Sequence, residues 1–167
     1  MLIGFMGTGK TTIGQALSER LGWSFKDSDQ AVEEKEGRTV SNIFASDGEP
    51  YFRAQESLML KELLRSTHQV ISTGGGSVLL EENRETMLAG GFVVALKASP
   101  ETILKRLGSD TSRPLLAGDK KERIYALLEE RKTAYDFAHL ILDTSAMSVD
   151  EVVNRIMEES EKKKSAD

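Results

Sequence analysis

Gly4-Phe5-Met6-Gly7-Thr8-Gly9-Lys10-Thr11 is the stretch on which the fold turns. It satisfies G-x-x-x-x-G-K-[ST]. It also follows an apolar run, Met1–Phe5, that reads as a strand, and it opens a helical pattern with Ile13, Ala16, Leu17 and Leu21 on one face, ending at Gly22. Strand, glycine loop and helix in that order are the context the motif needs. Glycines let successive backbone N–H groups converge on phosphate oxygens, and the helix start adds partial positive charge. Lys10 is then in reach of the β and γ phosphates, and Thr11 offers a hydroxyl to Mg²⁺. Gly14, one turn on, fits close packing of helix on strand. A glycine-rich turn beside a surface lysine is the bland alternative, and the flanking pattern outweighs it. A nucleoside triphosphate is the expected ligand.

Working outward, four more short runs read as strands: Trp23–Lys26, Val70–Thr73, Phe92–Leu96 and Leu140–Leu142. Helical patterns lie between them. Segments are expected over Ala31–Glu36 and from Val40 to Gly48, with Pro50 opening another that turns Phe52, Leu60, Leu63 and Leu64 inward. Pro100 follows Ser99 in the same role, and Ser148 with Glu151 forms a capping box. Such alternation implies an α/β fold with a parallel sheet, whose ligands bind beyond the carboxyl ends of the strands. Residues 28–66 hold more helix than one crossover requires and are expected to be an inserted substrate-binding subdomain. Residues 108–121, rich in Gly, Asp, Ser and Pro, read as a mobile lid between two helices. The charged tail from Glu158 is expected to fray.

Several side chains at these strand ends carry chemistry. Asp27-Ser28-Asp29 follows the second strand, and two carboxylates two residues apart in extended chain face the same way. One suits a magnesium ion through water, the other an acceptor hydroxyl as base or orienting group. A helix cap at Asp29 is the competing reading. A helix expected over Lys120–Tyr135 puts Arg131 on the stripe of Ile124, Leu127 and Leu128, and a buried guanidinium needs an anion unless it snorkels. Arg53 lies between Glu49 and Glu56, so it reads as either a second anion ligand or a helix-surface ion pair. Gly74-Gly75-Gly76 after the third strand exposes backbone N–H groups and admits a substrate close to the main chain. Arg113, inside the lid, is placed to close over transferring phosphate, and Arg106 lies near the end of the preceding helix. His68 and His139 have no ligand-spaced neighbours and read as structural.

Length and composition bound the rest. A chain of 167 residues fits one domain, 1–167, with a core that needs no metal or disulfide. Its net charge of −5 argues against general binding of nucleic acid or anionic membranes. The absence of cysteine excludes disulfides, thiolate metal sites and cysteine nucleophiles. No apolar run approaches the ~18 residues of a membrane span, and no basic region precedes the apolar start as in a signal peptide. A cytoplasmic location is the expectation.

In this order the motifs resemble the shikimate kinase family, a branch of the P-loop small-molecule kinases. The resemblance runs from Leu2 to about Ile156. It rests on residues 4–11, Asp27-Ser28-Asp29, Ile43-Phe44, Gly48-Glu49, the run Phe52-Arg53-Ala54-Gln55-Glu56, the glycine triplet, Arg113-Pro114-Leu115-Leu116, and Arg131 with Tyr135. It implies a three-layer α/β/α fold with a five-stranded parallel sheet in the order 2-3-1-4-5. It further implies transfer of the γ-phosphoryl group of ATP to the 3-hydroxyl of shikimate. ATP would lie on Gly7, Thr8, Gly9, Lys10, Thr11 and Thr12, with Arg106 beside the adenine and Arg113 arriving from the lid. Mg²⁺ would be held by Thr11 and, through water, by Asp27. Asp29 would meet the attacking hydroxyl, Arg53 and Arg131 the shikimate carboxylate, and Gly74, Gly75 and Gly76 the ring. Lys10, Asp29 and Arg113 are thus the catalytic candidates, and a monomer is expected. A gluconate or nucleoside monophosphate kinase shares the loop and lid but does not require Phe52-Arg53, the triplet and residues 113–116 together. A nucleotide-operated switch leaves Asp29, Arg53 and Arg131 without a shared task. Two features depart from the family: few residues precede the phosphate loop, so the first strand is expected to be short, and Ser145-Ala146-Met147-Ser148 lacks a basic residue for the purine.

Overall fold

The computed structural model describes residues 1–108 and 119–167. Five parallel strands, β1 (Leu2–Gly4), β2 (Ser24–Asp27), β3 (Gln69–Ser72), β4 (Val94–Lys97) and β5 (Leu140–Asp143), form one sheet in the order β2-β3-β1-β4-β5. The expected order is therefore observed. β1 is central and buried along its length, pairing Leu2 with Ser72 on one side and with Val94 on the other. β2, at an edge, shows the alternating exposure of a strand with one covered face.

Period-2 alternation sorts the strand side chains into two cores. Leu2, Val94 and Leu96 face α1 (Lys10–Leu21) and α7 (Val149–Ala166), meeting Ile13, Leu17, Val153 and Ile156. Ile3, Val93 and Ala95 face the other way, towards α3 (Val40–Leu63), α4 (Glu81–Gly90), α5 (Pro100–Leu107) and α6 (Lys120–Glu130), meeting Leu60, Met87, Ile103 and Ile124. Each such buried aliphatic contributes about 1.5–3 kcal/mol, so the two faces hold the sheet from both sides. A third, smaller cluster of Val32, Ile43, Phe52 and Met59 lies between α2 (Ser28–Glu36) and α3.

Two glycines let the first strand and helix approach their neighbours. A Cβ on Gly4, at φ 147°, would stand 2.3 Å from the Leu96 carbonyl oxygen, and one on Gly14 would stand 2.4 Å from the Phe25 ring. The expected close packing of helix on strand at Gly14 is thus observed.

The expected break between the segment Val40 to Gly48 and the helix opened by Pro50 is observed: Gly48 takes a non-helical φ of 83° and ψ of 171°, so α3 consists of two helices meeting at a kink. Three other local readings are corrected. The 3-10 turn Ser77–Leu79 and α4, which the residue pattern did not reveal, follow the glycine triplet. α6 ends at Glu130 rather than Tyr135: Arg131 is its C-cap residue, and turns carry the chain to Ala138. The charged tail is not irregular but continues α7 to Ala166, where Glu159 pairs with both Arg155 at 3.3 Å and Lys162 at 2.8 Å, and Lys164 lies over the Trp23 ring.

Candidate active site

The carboxyl ends of β1, β2 and β3 open onto a cavity of about 550 Å³, lined by Lys10, Thr11, Asp27, Asp29, Gly74 and Gly75 among others. A smaller recess of about 70 Å³ shares Asp29, Gly74 and Gly75 with it and adds Arg53, Glu56, Gly76 and Arg131. The two form one trough, running from the glycine loop at the start of α1 to the inserted helices.

At the loop end, Gly7 and Gly9 have φ of 77° and 101°, and no side chain caps α1. The first-turn N–H groups are therefore available to an anion. The Lys10 ammonium donates to the carbonyls of Gly4 at 2.8 Å and Phe5 at 2.9 Å, which holds it against the loop. Thr8 is buried, its hydroxyl donating to the Phe5 carbonyl, while Thr11 and Thr12 are exposed. Arg106 is tied in from α5. Its guanidinium donates to the Gly7 carbonyl at 3.2 Å and to the hydroxyl and carbonyl of Thr144 at 3.1 and 2.9 Å. Thr144 in turn donates to the Thr8 carbonyl at 2.8 Å, so it links the glycine loop to the end of β5. Sequence reading missed Thr144; its place directly after the fifth strand was the available signal.

The acidic pair differs from its expected form. Asp27 ends β2 and caps α2, its Oδ1 accepting from the Gln30 N–H at 3.0 Å, so the cap role considered for Asp29 belongs to Asp27. The chain turns helical at Ser28, and the two carboxylates are not in one extended segment. Both still line the same cavity, because Asp29 occupies the first turn of α2, at the boundary with the smaller recess.

In that recess the glycine triplet meets four charged side chains. A Cβ on Gly74 would stand 2.7 Å from Asp29 Oδ1 and 2.8 Å from Glu56 Oε2; one on Gly76 would stand 2.2 Å from Arg53 Nη2. One on Gly75 would be 3.6 Å from Arg131 Nη1. Tyr135 fixes the triplet from behind, donating to the Gly75 carbonyl at 2.7 Å, and burial raises its phenol above the ordinary range. Arg131 is 3% exposed, so the snorkelling alternative fails, and its Nε has no hydrogen-bond partner among the described residues. Arg53 is held by Glu49, at 3.2 and 3.4 Å, and by Glu56 Oε1, at 3.0 Å.

Glu56 is the functional residue that sequence reading undervalued. It is 1% exposed, far from the helix-surface pair considered for Arg53. Burial pushes its carboxyl up to about 7; Arg53 opposes that rise and Asp29 adds to it. Phe52, Glu56, Met59 and Leu60 recur at i, i+4, i+7 and i+8, so a charge on an apolar stripe was legible there, as it was at Arg131. Arg113 lies outside the described residues, as does all of the expected lid except Gly108 and residues 119–121. His139 is structural, accepting at Nδ1 from the Val93 N–H at 2.9 Å.

A glycine loop whose first-turn N–H groups are open to an anion, an acidic group at its edge and a recess holding two guanidiniums beside it define a P-loop phosphotransferase for a small acceptor. A family model described as shikimate kinase matches residues 6–161. The shikimate kinase of Pelotomaculum thermopropionicum is 46% identical over 158 residues, covering 94% of this chain and 92% of that protein. The solved structure of shikimate kinase from Acinetobacter baumannii in complex with shikimate has a TM-score of 0.90 and 37% identity, covering 94% of this chain and 89% of that one. That of Aquifex aeolicus has a TM-score of 0.83 and 38% identity, covering 96% and 94%. The chain belongs to the shikimate kinase family, and its reaction is the phosphorylation of shikimate with ATP as co-substrate.

Proposed function

We propose that the trough orders the two substrates end to end, with ATP phosphates on the glycine loop and shikimate in the recess, and that the 3-hydroxyl is the phosphorylated group. What supports this is the convergence of Asp29, Arg53, Arg131 and the glycine triplet on one recess that adjoins the phosphate loop. Gly7, Thr8, Gly9, Thr11 and Thr12 donate backbone N–H groups to the phosphates, and Lys10 exchanges its carbonyl partners for phosphate oxygens. Arg106 packs beside the adenine. Arg53 and Arg131 grip the shikimate carboxylate as charge-assisted donors, and Gly74, Gly75 and Gly76 lie against the ring. Asp29 orients the attacking hydroxyl and accepts its proton. Residues 28–66 act as the acceptor-binding subdomain of a single domain.

A divalent cation fits the loop end. Hard ions of this type take oxygen donors, and the Thr11 hydroxyl and the Asp27 carboxylate line one cavity, with Asp27 Oδ2 outside the capping bond to Gln30. Thr11 would hold Mg²⁺ directly and Asp27 through water. When bound, the ion neutralises charge on the β and γ phosphates. Catalysis is then mostly positioning and charge stabilisation by this chain's side chains. No helix among the described residues is long and apolar enough to cross a membrane, and the protein is proposed to act as a cytoplasmic monomer.

The test is ADP release from Mg-ATP with shikimate, gluconate or nucleoside monophosphates, against a control without acceptor. Strong stimulation by shikimate alone is expected. Stimulation by another acceptor would overturn the assignment of the recess.

A further inference from the structure

Arg53 is shared between two carboxylates of different character. Glu49 is 45% exposed at its side chain, whereas Glu56 is 1% exposed and bonds Arg53 Nη1 through Oε1. The other oxygen, Glu56 Oε2, is buried, accepts no hydrogen bond from any described residue, and points to the same spot beside Gly74 as Asp29. The groups facing Glu56 are Arg53 from its own helix, Asp29 from α2 and Arg131 from the end of α6. The glycine segment between them carries no titratable side chain. Two carboxylates and two guanidiniums thus balance inside the recess without any ligand. A substrate carboxylate entering this set adds one negative charge where little water screens it. The excess is relieved most readily by the carboxylate that burial already disfavours as an anion.

We infer that acceptor binding drives a proton from solvent onto the free Oε2 of Glu56, whose Oε1 bonds Arg53 Nη1 at 3.0 Å before the acceptor arrives. The inference rests on the proposed contact of Arg53 and Arg131 with the substrate carboxylate. The proton is returned to solvent when the acceptor site empties, so the cycle balances.

Calorimetry of shikimate binding in phosphate and in Tris, buffers of different ionisation enthalpy, counts the protons directly. With the free carboxyl near 7, uptake of about half a proton is expected at pH 7, rising towards one at pH 8. Affinity falls up to about tenfold per pH unit over that upper range. Glu56→Gln keeps an oxygen for Arg53 but cannot ionise, so its uptake should vanish and its affinity should become flat with pH. Glu56→Asp, which retains an ionisable group, should retain uptake with a displaced pH range. Unchanged uptake in Glu56→Gln overturns the inference, and so does loss of uptake in Asp29→Asn with normal uptake in Glu56→Asp. The underlying contact is tested separately: Arg53→Ala with undiminished shikimate affinity would remove the proposed carboxylate site itself. Should Glu56→Gln fail to fold, the buffer comparison on the unaltered protein still decides, since zero uptake at pH 8 refutes the coupling.

Discussion

Replacing Gly76 by alanine isolates the acceptor grip from the fold. The backbone there has φ −94° and ψ −3°, which alanine adopts freely, so no strain enters through the main chain. The new Cβ would instead lie 2.2 Å from Arg53 Nη2, 2.6 Å from Cζ and 2.8 Å from Nη1. Ordinary contact begins near 3.4 Å, so the guanidinium must retreat by about 1 Å. Arg53 sits at the end of a flexible chain and can do so at small cost in stability, but not while keeping its 3.0 Å bond to Glu56. A misplacement of this size can cost up to about 100-fold. Steady-state ADP release is therefore expected to show KM for shikimate raised about 10- to 100-fold, with KM for ATP within about twofold, because the phosphate loop is untouched. The melting temperature should move by no more than about 4 °C. Gly91→Ala is the control, since Gly91 is extended at φ 165° and nothing lies within 4 Å of its added Cβ. A folded Gly76→Ala protein with unchanged KM for shikimate would refute the placement of Arg53 at the acceptor carboxylate.

Asp29→Asn should lower kcat by about 10²–10⁴-fold while nucleotide binding, read by fluorescence titration, survives; loss of both would count against an acceptor-side role. Arg131→Ala removes one partner of a desolvated ion pair and should weaken shikimate binding by at least about 30-fold, the equivalent of about 2 kcal/mol, leaving ATP affinity near its original value in calorimetry. Ile103→Ala, at a fully buried site under the glycine loop, should lose about 2–5 kcal/mol in urea denaturation. Glu56 sets a pH signature: its folded-state carboxyl lies near 7 against an ordinary 4.5, so the folded state holds the extra proton between those values. Stability should accordingly fall as pH rises from 4.5 to 7 relative to Glu56→Gln, by on the order of 3 kcal/mol, and the difference should stay constant above.

Where local physics and fold agree, the sequence was legible. The glycine loop, its strand and its helix follow from steric freedom and anion chemistry acting within about 20 residues, and strand alternation with helices was enough for a parallel sheet. The order of the strands came with the family resemblance rather than from periodicity. The boundary at Glu130 was not legible, because Ile124, Leu127, Arg131 and Tyr135 keep a helical spacing through a segment that turns. α4 was missed since Glu81–Gly90 buries only Asn83 and Met87, too weak a stripe to stand out. Asp27 and Asp29 read as an extended pair because both are good helix caps and the sequence does not choose between them; the bond from the Gln30 N–H to Asp27 Oδ1 starts α2 at Ser28, two residues earlier than a cap at Asp29 would.

Glu56 and Arg131 break the rule that charges stay in water, and they do so within one recess. Neither belongs to the two sheet cores, which are closed by apolar side chains. A buried ion pair is weak evidence for stability, since well-packed apolar groups of similar volume often do as well or better. The arrangement is therefore best explained by what it does to an incoming acid. A neutral polyol entering the recess leaves its internal balance of charge undisturbed and finds Arg53 already engaged by Glu49 and Glu56. A carboxylate can compete for both guanidiniums, and proton uptake by Glu56 removes its strongest internal rival. With the substrate carboxylate placed on Arg53 and Arg131 as proposed, selection of an acidic acceptor over a neutral one would follow from a site whose charges are balanced before the substrate arrives and must be redistributed when it does.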